Sequence, residues 1–62
     1  MKRSALLKHL GQNGCYLKRE GNSHSLWCNP ITGHTEAVPR HIEIPNKLVQ
    51  KICKALSIRE IG

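Results

Sequence analysis

Three leucines recur at helical spacing near the start of the chain, and they predict a short first helix over residues 4–10. Ser4 is a residue type that caps helix N-termini, so we expect it to begin the helix. Gly11 and Gly14 follow the last leucine and are expected to end the helix.

Short runs of strand-forming residues, separated by turn residues, come next. The predicted strands cover residues 15–19, 25–29 and 34–38. Gly21 and Asn22 suit the positive φ of a tight turn between the first two strands. Pro39 is expected to end the third strand, because proline cannot donate a hydrogen bond to a sheet.

The last third of the chain predicts a connecting loop over residues 40–44 and then a two-faced helix. Pro45 fits the first turn of that helix, where its missing N–H costs nothing. One stripe is apolar and consists of Leu48, Val49, Ile52, Cys53 and Leu56. A second stripe is basic and consists of Lys47, Lys51 and Lys54, facing either solvent or phosphate groups.

The element order is therefore α-β-β-β-α, which belongs to the α+β class. Two amphipathic helices are enough to cover one face of a three-stranded antiparallel sheet, which leaves the other face open. We expect residues 1–62 to form one domain, since the chain contains no repeat, linker or low-complexity segment.

Size and charge favour a large acidic ligand. A chain of 62 residues buries only about 60 % of its unfolded surface, so a deep pocket for a small metabolite is not expected. Ten lysines and arginines against four acidic residues give a net charge of +6. Nucleic acid is the leading partner for such a charge, ahead of an anionic membrane or an acidic protein, although the same charge also promotes solubility.

Several classes of site find no support in the sequence. Cys15, Cys28 and Cys53 are widely spaced, so they predict small buried side chains in a reducing compartment rather than disulfides or a metal site. The four glutamates are scattered, and no phosphate-cradling G-x-x-x-x-G-K motif occurs. The apolar run after the N-terminal cations is too short for export or membrane insertion, which predicts a cytoplasmic protein.

His24 is the strongest candidate for chemistry. It follows a glycine turn and opens a strand, and an imidazole exchanges protons near neutral pH because its ordinary pKa is about 6.5. Such a group can take a proton from a ribose 2′-hydroxyl and return one to a leaving oxygen. Ser23 and Ser25 are expected to donate hydrogen bonds to the phosphate.

Other residues are expected to hold RNA around this histidine. They are Lys18, Arg19, Gly21, Ser23, Arg40, His41, Lys47, Lys51 and Lys54. Exposed histidines are more often only solvated, and His41 is the strongest rival to His24. Trp27 is either a packing residue or a platform for base stacking, and packing is the favoured role.

Taken in order, several short segments resemble the HicA toxins, a family of mRNA interferases from toxin–antitoxin modules. They are residues 6–10, 14–17, 21–24, 29–30, 38–41 and 48–56. The resemblance implies a fold like that of double-stranded-RNA-binding domains, an mRNA substrate, His24 as the catalytic histidine and a HicB antitoxin as partner. Two positions depart from the pattern. Many members read Gly-Ser-His, whereas Asn22 and Ser23 separate Gly21 from His24, and Cys15 stands where many have Phe.

Two functions remain open from the sequence. The first is an endoribonuclease toxin that uses His24 and needs neither metal nor cofactor, and that a HicB-like antitoxin neutralises. The alternative is a non-catalytic RNA-binding module with the same fold. A homodimer and a toxin–antitoxin hetero-oligomer are both compatible with so small a chain.

Overall fold

A computed structural model describes residues 1–61 of the chain; Gly62, the last residue of the predicted domain, lies outside the described residues. The elements are α1 (Arg3–Gln12), β1 (Tyr16–Glu20), β2 (His24–Cys28), β3 (Thr35–Pro39) and α2 (Asn46–Ala55). The α-β-β-β-α order and the α+β class predicted from the sequence are confirmed.

The first helix begins earlier and ends later than predicted. Lys2 is its N-cap residue, and no side chain caps it, so Ser4 lies inside the helix. The start is determined instead by tertiary contacts, because Lys2 forms a β-bridge with Glu43 and the Arg3 N–H donates to the Ile42 carbonyl at 2.8 Å. Gly11 is helical as well. Only Gly14, at a φ of +85°, follows the end of the helix.

The turn between β1 and β2 differs from the predicted one. Within residues 1–61, positive φ is confined to Gly14, Gly33 and Ser57, so neither Gly21 nor Asn22 adopts it. Glycine is required at position 21 for another reason. The Gly21 N–H donates to the His24 carbonyl at 2.8 Å, and a Cβ built on Gly21 would stand 2.8 Å from that same oxygen.

The sheet is antiparallel, with the order β1-β2-β3. Pro39 is the last residue of β3 and lies opposite His24, rather than ending the strand before it. This placement is tolerated because β3 is an edge strand, where a missing N–H leaves no partner unpaired.

The pairing register divides the sheet residues between two faces, because successive side chains point to opposite sides. The helix-side face contains Leu17, Glu20, Ser25, Trp27, Glu36 and Val38. The other face, called the open face below, contains Tyr16, Arg19, His24, Leu26, Cys28, Thr35 and Ala37. Both helices cover the helix-side face.

The core is aliphatic and lies between that face and the helices. Its buried members are Leu6, Leu10, Cys15, Val38, Ile44, Val49, Ile52, Cys53 and Leu56. The apolar stripe predicted on α2 is confirmed. Trp27 packs against this cluster, as favoured from the sequence, and its indole Nε1 is buried without a hydrogen-bond partner among residues 1–61.

The three cysteines are free and buried, which confirms their predicted role as small packing residues. Burial raises the pKa of Cys15 and of Cys53 above the ordinary value of 9.0. A thiol must ionise to become a strong nucleophile, so neither residue is suited to nucleophilic catalysis at neutral pH.

Asn29 joins the turn after β2 to the end of α2. Its buried side-chain amide donates to the Leu56 carbonyl at 2.8 Å, and its side-chain oxygen accepts the Ile31 N–H at 3.0 Å. The first bond connects segments that lie 27 residues apart in the chain, and the second stabilises the turn itself.

We expect Asn29→Ala to lower the free energy of unfolding by about 2–3 kcal/mol, because it leaves a buried carbonyl without a donor. Thr32→Ala is the matched control in the same turn. It removes only an exposed hydroxyl that accepts the His34 N–H, and should cost less than about 0.5 kcal/mol. Urea denaturation measures both, and equal losses would contradict the role given to Asn29.

Candidate functional site

His24 stands at the first position of β2, exposed on the open face. It borders a shallow groove of about 300 Å³. The groove is lined by Arg19, Gly21, Asn22, Ser23, His24, Leu26 and Ala37. A groove of this kind presents one imidazole and one guanidinium above a small apolar floor, and both groups are accessible to a ligand that lies along the surface.

The β1 side of the groove is basic because of a β-bulge. The register shifts between Leu17 and Arg19, so Lys18 and Arg19 together stand against Leu26 of β2. A bulge of this kind re-aims side chains and leaves one residue of the strand unpaired. Of these two cations, Arg19 lines the groove, while Lys18 is exposed beside it.

Arg40 braces the turn that carries His24. Its backbone N–H donates to the Ser23 carbonyl at 3.2 Å, and its guanidinium donates to the Gly21 carbonyl at 3.3 Å. The same guanidinium forms an ion pair with Glu20 at 3.4 Å. Of the remaining predicted RNA-contacting residues, His41 is exposed next to Arg40 in the loop after β3.

The lysine stripe is not brought together with the groove. Lys47, Lys51 and Lys54 are exposed on α2, which packs its apolar stripe against the helix-side face of the sheet. The stripe therefore faces solvent on the other side of the sheet from His24. Any RNA contact made by these lysines would belong to a second surface.

A hydrogen-bonded group directly behind His24 was missed from the sequence. Arg3 donates from Nε to the Pro39 carbonyl at 2.8 Å and from a terminal nitrogen to the Ser25 hydroxyl at 2.6 Å. The Ser25 hydroxyl in turn donates to the Glu20 carboxylate, which also pairs with Arg40. We call these four residues, Arg3, Glu20, Ser25 and Arg40, the clamp.

The clamp corrects one expectation for Ser25. Its side chain is only 1 % exposed and lies on the helix-side face, so it does not donate to a phosphate in the groove. Strand alternation gives the reason, since the neighbour of an outward-pointing His24 must point inward.

A family model matches most of the chain. The family model described as "HicA toxin of bacterial toxin-antitoxin" matches residues 3–58. The chain belongs to the HicA toxin family. It is accordingly a toxin of a toxin–antitoxin module, and membership implies an antitoxin partner. Comparisons with curated proteins and with solved structures gave no match.

The histidines of this HicA chain occupy different environments. His9 is buried on α1, and its Nε2–H donates to the Arg59 carbonyl at 2.8 Å, while the side chain of Asn13 lies 3.4 Å from Nδ1. This histidine holds the C-terminal segment against the helix. His34 pairs with the Ser57 hydroxyl at 2.8 Å, beside the turn at the opposite end of β2 from His24.

The structure of this HicA chain also bears on metal and membrane binding. Within residues 1–61, no cluster of three or more His, Cys, Asp or Glu side chains is arranged to hold a metal ion. Over the same residues, neither helix has the length and apolar character required to span a bilayer.

Proposed function

We propose that this HicA toxin is a metal-independent endoribonuclease that cleaves mRNA with His24 as the proton-transfer group. The observation that supports this most strongly is the exposed imidazole of His24 in a groove that also contains Arg19, on the open face of the sheet of a chain with a net charge of +6. Family membership supports the same assignment.

The proposed reaction uses the RNA itself as nucleophile. An imidazole nitrogen of His24 takes the proton of a ribose 2′-hydroxyl, and the 2′-oxygen attacks the adjacent phosphorus. The bond from phosphorus to the 5′-oxygen breaks, and that oxygen takes up a proton from the imidazolium or from water. The products are a 2′,3′-cyclic phosphate and a 5′-hydroxyl end.

The lining of the groove suits this chemistry. The Arg19 guanidinium is positioned to neutralise the phosphate, and the Ser23 hydroxyl and the backbone near Gly21 offer further polar contacts. The lining includes no carboxylate, so it lacks the oxygen ligands that a hard metal ion prefers. Because one proton-transfer group contributes only about 10²–10⁴-fold, we expect a slow enzyme.

The remaining basic residues are assigned to RNA positioning. Lys18, Arg40 and His41 extend the cationic surface beyond the groove, and the lysine stripe on α2 supplies phosphate contacts on the other side of the molecule. We assign the antitoxin to the HicB type and propose that it neutralises the toxin by covering the groove. Cleavage of mRNA by the free toxin would arrest translation and growth in the cytoplasm.

Incubating the purified protein with RNA in the presence of EDTA tests the reaction. We expect slow cleavage that EDTA does not reduce, with cyclic phosphate and 5′-hydroxyl ends on the fragments. Loss of cleavage in EDTA would contradict the metal-independent mechanism. RNA that stays intact while binding tightly in low salt would instead favour the non-catalytic RNA-binding module.

A further inference from the structure

Tyr16 is an aromatic residue on the open face that the proposed reaction does not use. It is 48 % exposed and lies on β1, directly opposite Cys28 of β2. It is the single tyrosine of the sequence. Trp27, the single tryptophan, packs on the helix-side face, so Tyr16 is the aromatic side chain that the open face presents to a ligand.

The environment of Cys28 indicates how the tyrosine ring lies. Cys28 is only 6 % exposed although it belongs to the open face and not to the core cluster. Tyr16 lies directly opposite Cys28 in the strand pairing, and the neighbouring thiol raises the pKa of the Tyr16 phenol. Cross-strand neighbours are close enough for an aromatic side chain to shield the residue opposite, and the 48 % exposure of Tyr16 leaves part of its ring open to solvent.

The position of the ring relative to His24 suits a polymer. Cys28 lies four positions after His24 on β2, a distance of about 13 Å along an extended strand. The cations Lys18 and Arg19 lie on β1 between the tyrosine and the turn that precedes His24. This order of groups, aromatic, cationic and then imidazole, follows the line along which an extended nucleic-acid strand would lie.

We infer that Tyr16 is a stacking platform for an unpaired RNA base, in a nucleotide that flanks the cleaved bond. The inference rests on the proposed function and assigns it a substrate class, single-stranded RNA. Bases in a duplex are already stacked on their neighbours, so only an unpaired base can lie on the ring, and Lys18 and Arg19 hold the backbone beside it.

Equilibrium binding tests the inference independently of cleavage. Variants are prepared in a His24→Ala background, and the probes are a fluorescein-labelled RNA decamer of mixed sequence and the same decamer annealed to its complement. Tyr16→Ala should weaken binding to the single strand by about 5- to 150-fold, the range for loss of one base–aromatic stack. Tyr16→Phe keeps the ring and should stay within about threefold of the parent.

Leu17→Ala is the matched control, because it removes a 43 % exposed apolar side chain from the next position of the same strand, on the opposite face. It should leave single-strand binding within about twofold. Tyr16→Ala should likewise leave duplex binding within about twofold. The ring protons of Tyr16 should shift upfield in NMR spectra when the single strand is added.

The inference is overturned if Tyr16→Ala binds the single strand as well as its parent does, or if it weakens single strand and duplex equally. It is also overturned if the tyrosine signals do not move on addition of RNA. Failure of the proposed cleavage would be seen separately, as intact RNA in reactions with the protein that retains His24.

Discussion

Replacing His24 with alanine is expected to lower the rate of RNA cleavage by about 10²–10⁴-fold and to remove growth arrest on expression. His24 is the imidazole that lines the groove beside Arg19. Its side chain is exposed and is not a member of the core cluster, so the substitution should leave the fold unchanged. Cleavage of a labelled RNA measures the rate, and circular dichroism with thermal unfolding checks the fold.

Two other histidines serve as controls for this prediction. His34→Ala removes an exposed imidazole from the opposite end of the sheet and should leave cleavage unchanged. His41→Ala removes the strongest rival, and we expect a smaller loss than for His24→Ala because His41 does not line the groove. Full toxicity of His24→Ala, or loss of activity only in His41→Ala, would move the catalytic role away from His24.

The element order was predictable because each element carries its own periodicity. The apolar stripe of α2 and the strand-forming runs of β2 and β3 are visible in the local sequence. The apolar residues of these elements contribute to the core, so no information from distant segments was needed to predict them. Boundaries were less predictable. The start of α1 depends on backbone hydrogen bonds from Arg3 to Ile42 and from Ile44 to Met1, which local sequence does not reveal.

The candidate site also contains some residues that the sequence could place together and others that it could not. His24, Arg19, Gly21 and Ser23 are close in sequence and fall in one groove, so a hairpin prediction was enough to place them together. The role of Gly21 was predicted for the wrong reason, since close approach to the His24 carbonyl requires the glycine, not positive φ.

Arg3 shows what sequence reasoning could not reach. Its partners Ser25 and Pro39 lie 22 and 36 residues away, and no periodic pattern marks an arginine at the start of a helix as a partner of a strand serine. The inward direction of Ser25, in contrast, could have been predicted from alternation with His24. The clamp is therefore a product of tertiary packing.

Ser25→Ala is expected to lower kcat by about 10- to 100-fold while leaving the affinity for RNA nearly unchanged. The Ser25 hydroxyl connects Arg3 to Glu20, and Glu20 in turn holds Arg40 against the turn before His24. Without that hydroxyl, Arg3 and Glu20 are no longer connected through β2, and the turn before His24 is held less firmly. Small displacements of a catalytic group are costly, because a shift of about 1 Å can reduce a rate by about 100-fold.

Two further variants separate positioning from a general loss of stability. Ile52→Val shortens a core side chain on α2 and costs about 0.5–1.5 kcal/mol of stability, but it removes none of the clamp's hydrogen bonds, so kcat should not change. Glu20→Gln keeps an acceptor for Ser25 but removes the charge that pairs with Arg40, so it should give an intermediate kcat. Rates are measured at saturating RNA, at a temperature where every variant is folded. If Ser25→Ala and Ile52→Val have the same kcat, the clamp contributes only stability, and the orientation of His24 is determined by the turn alone.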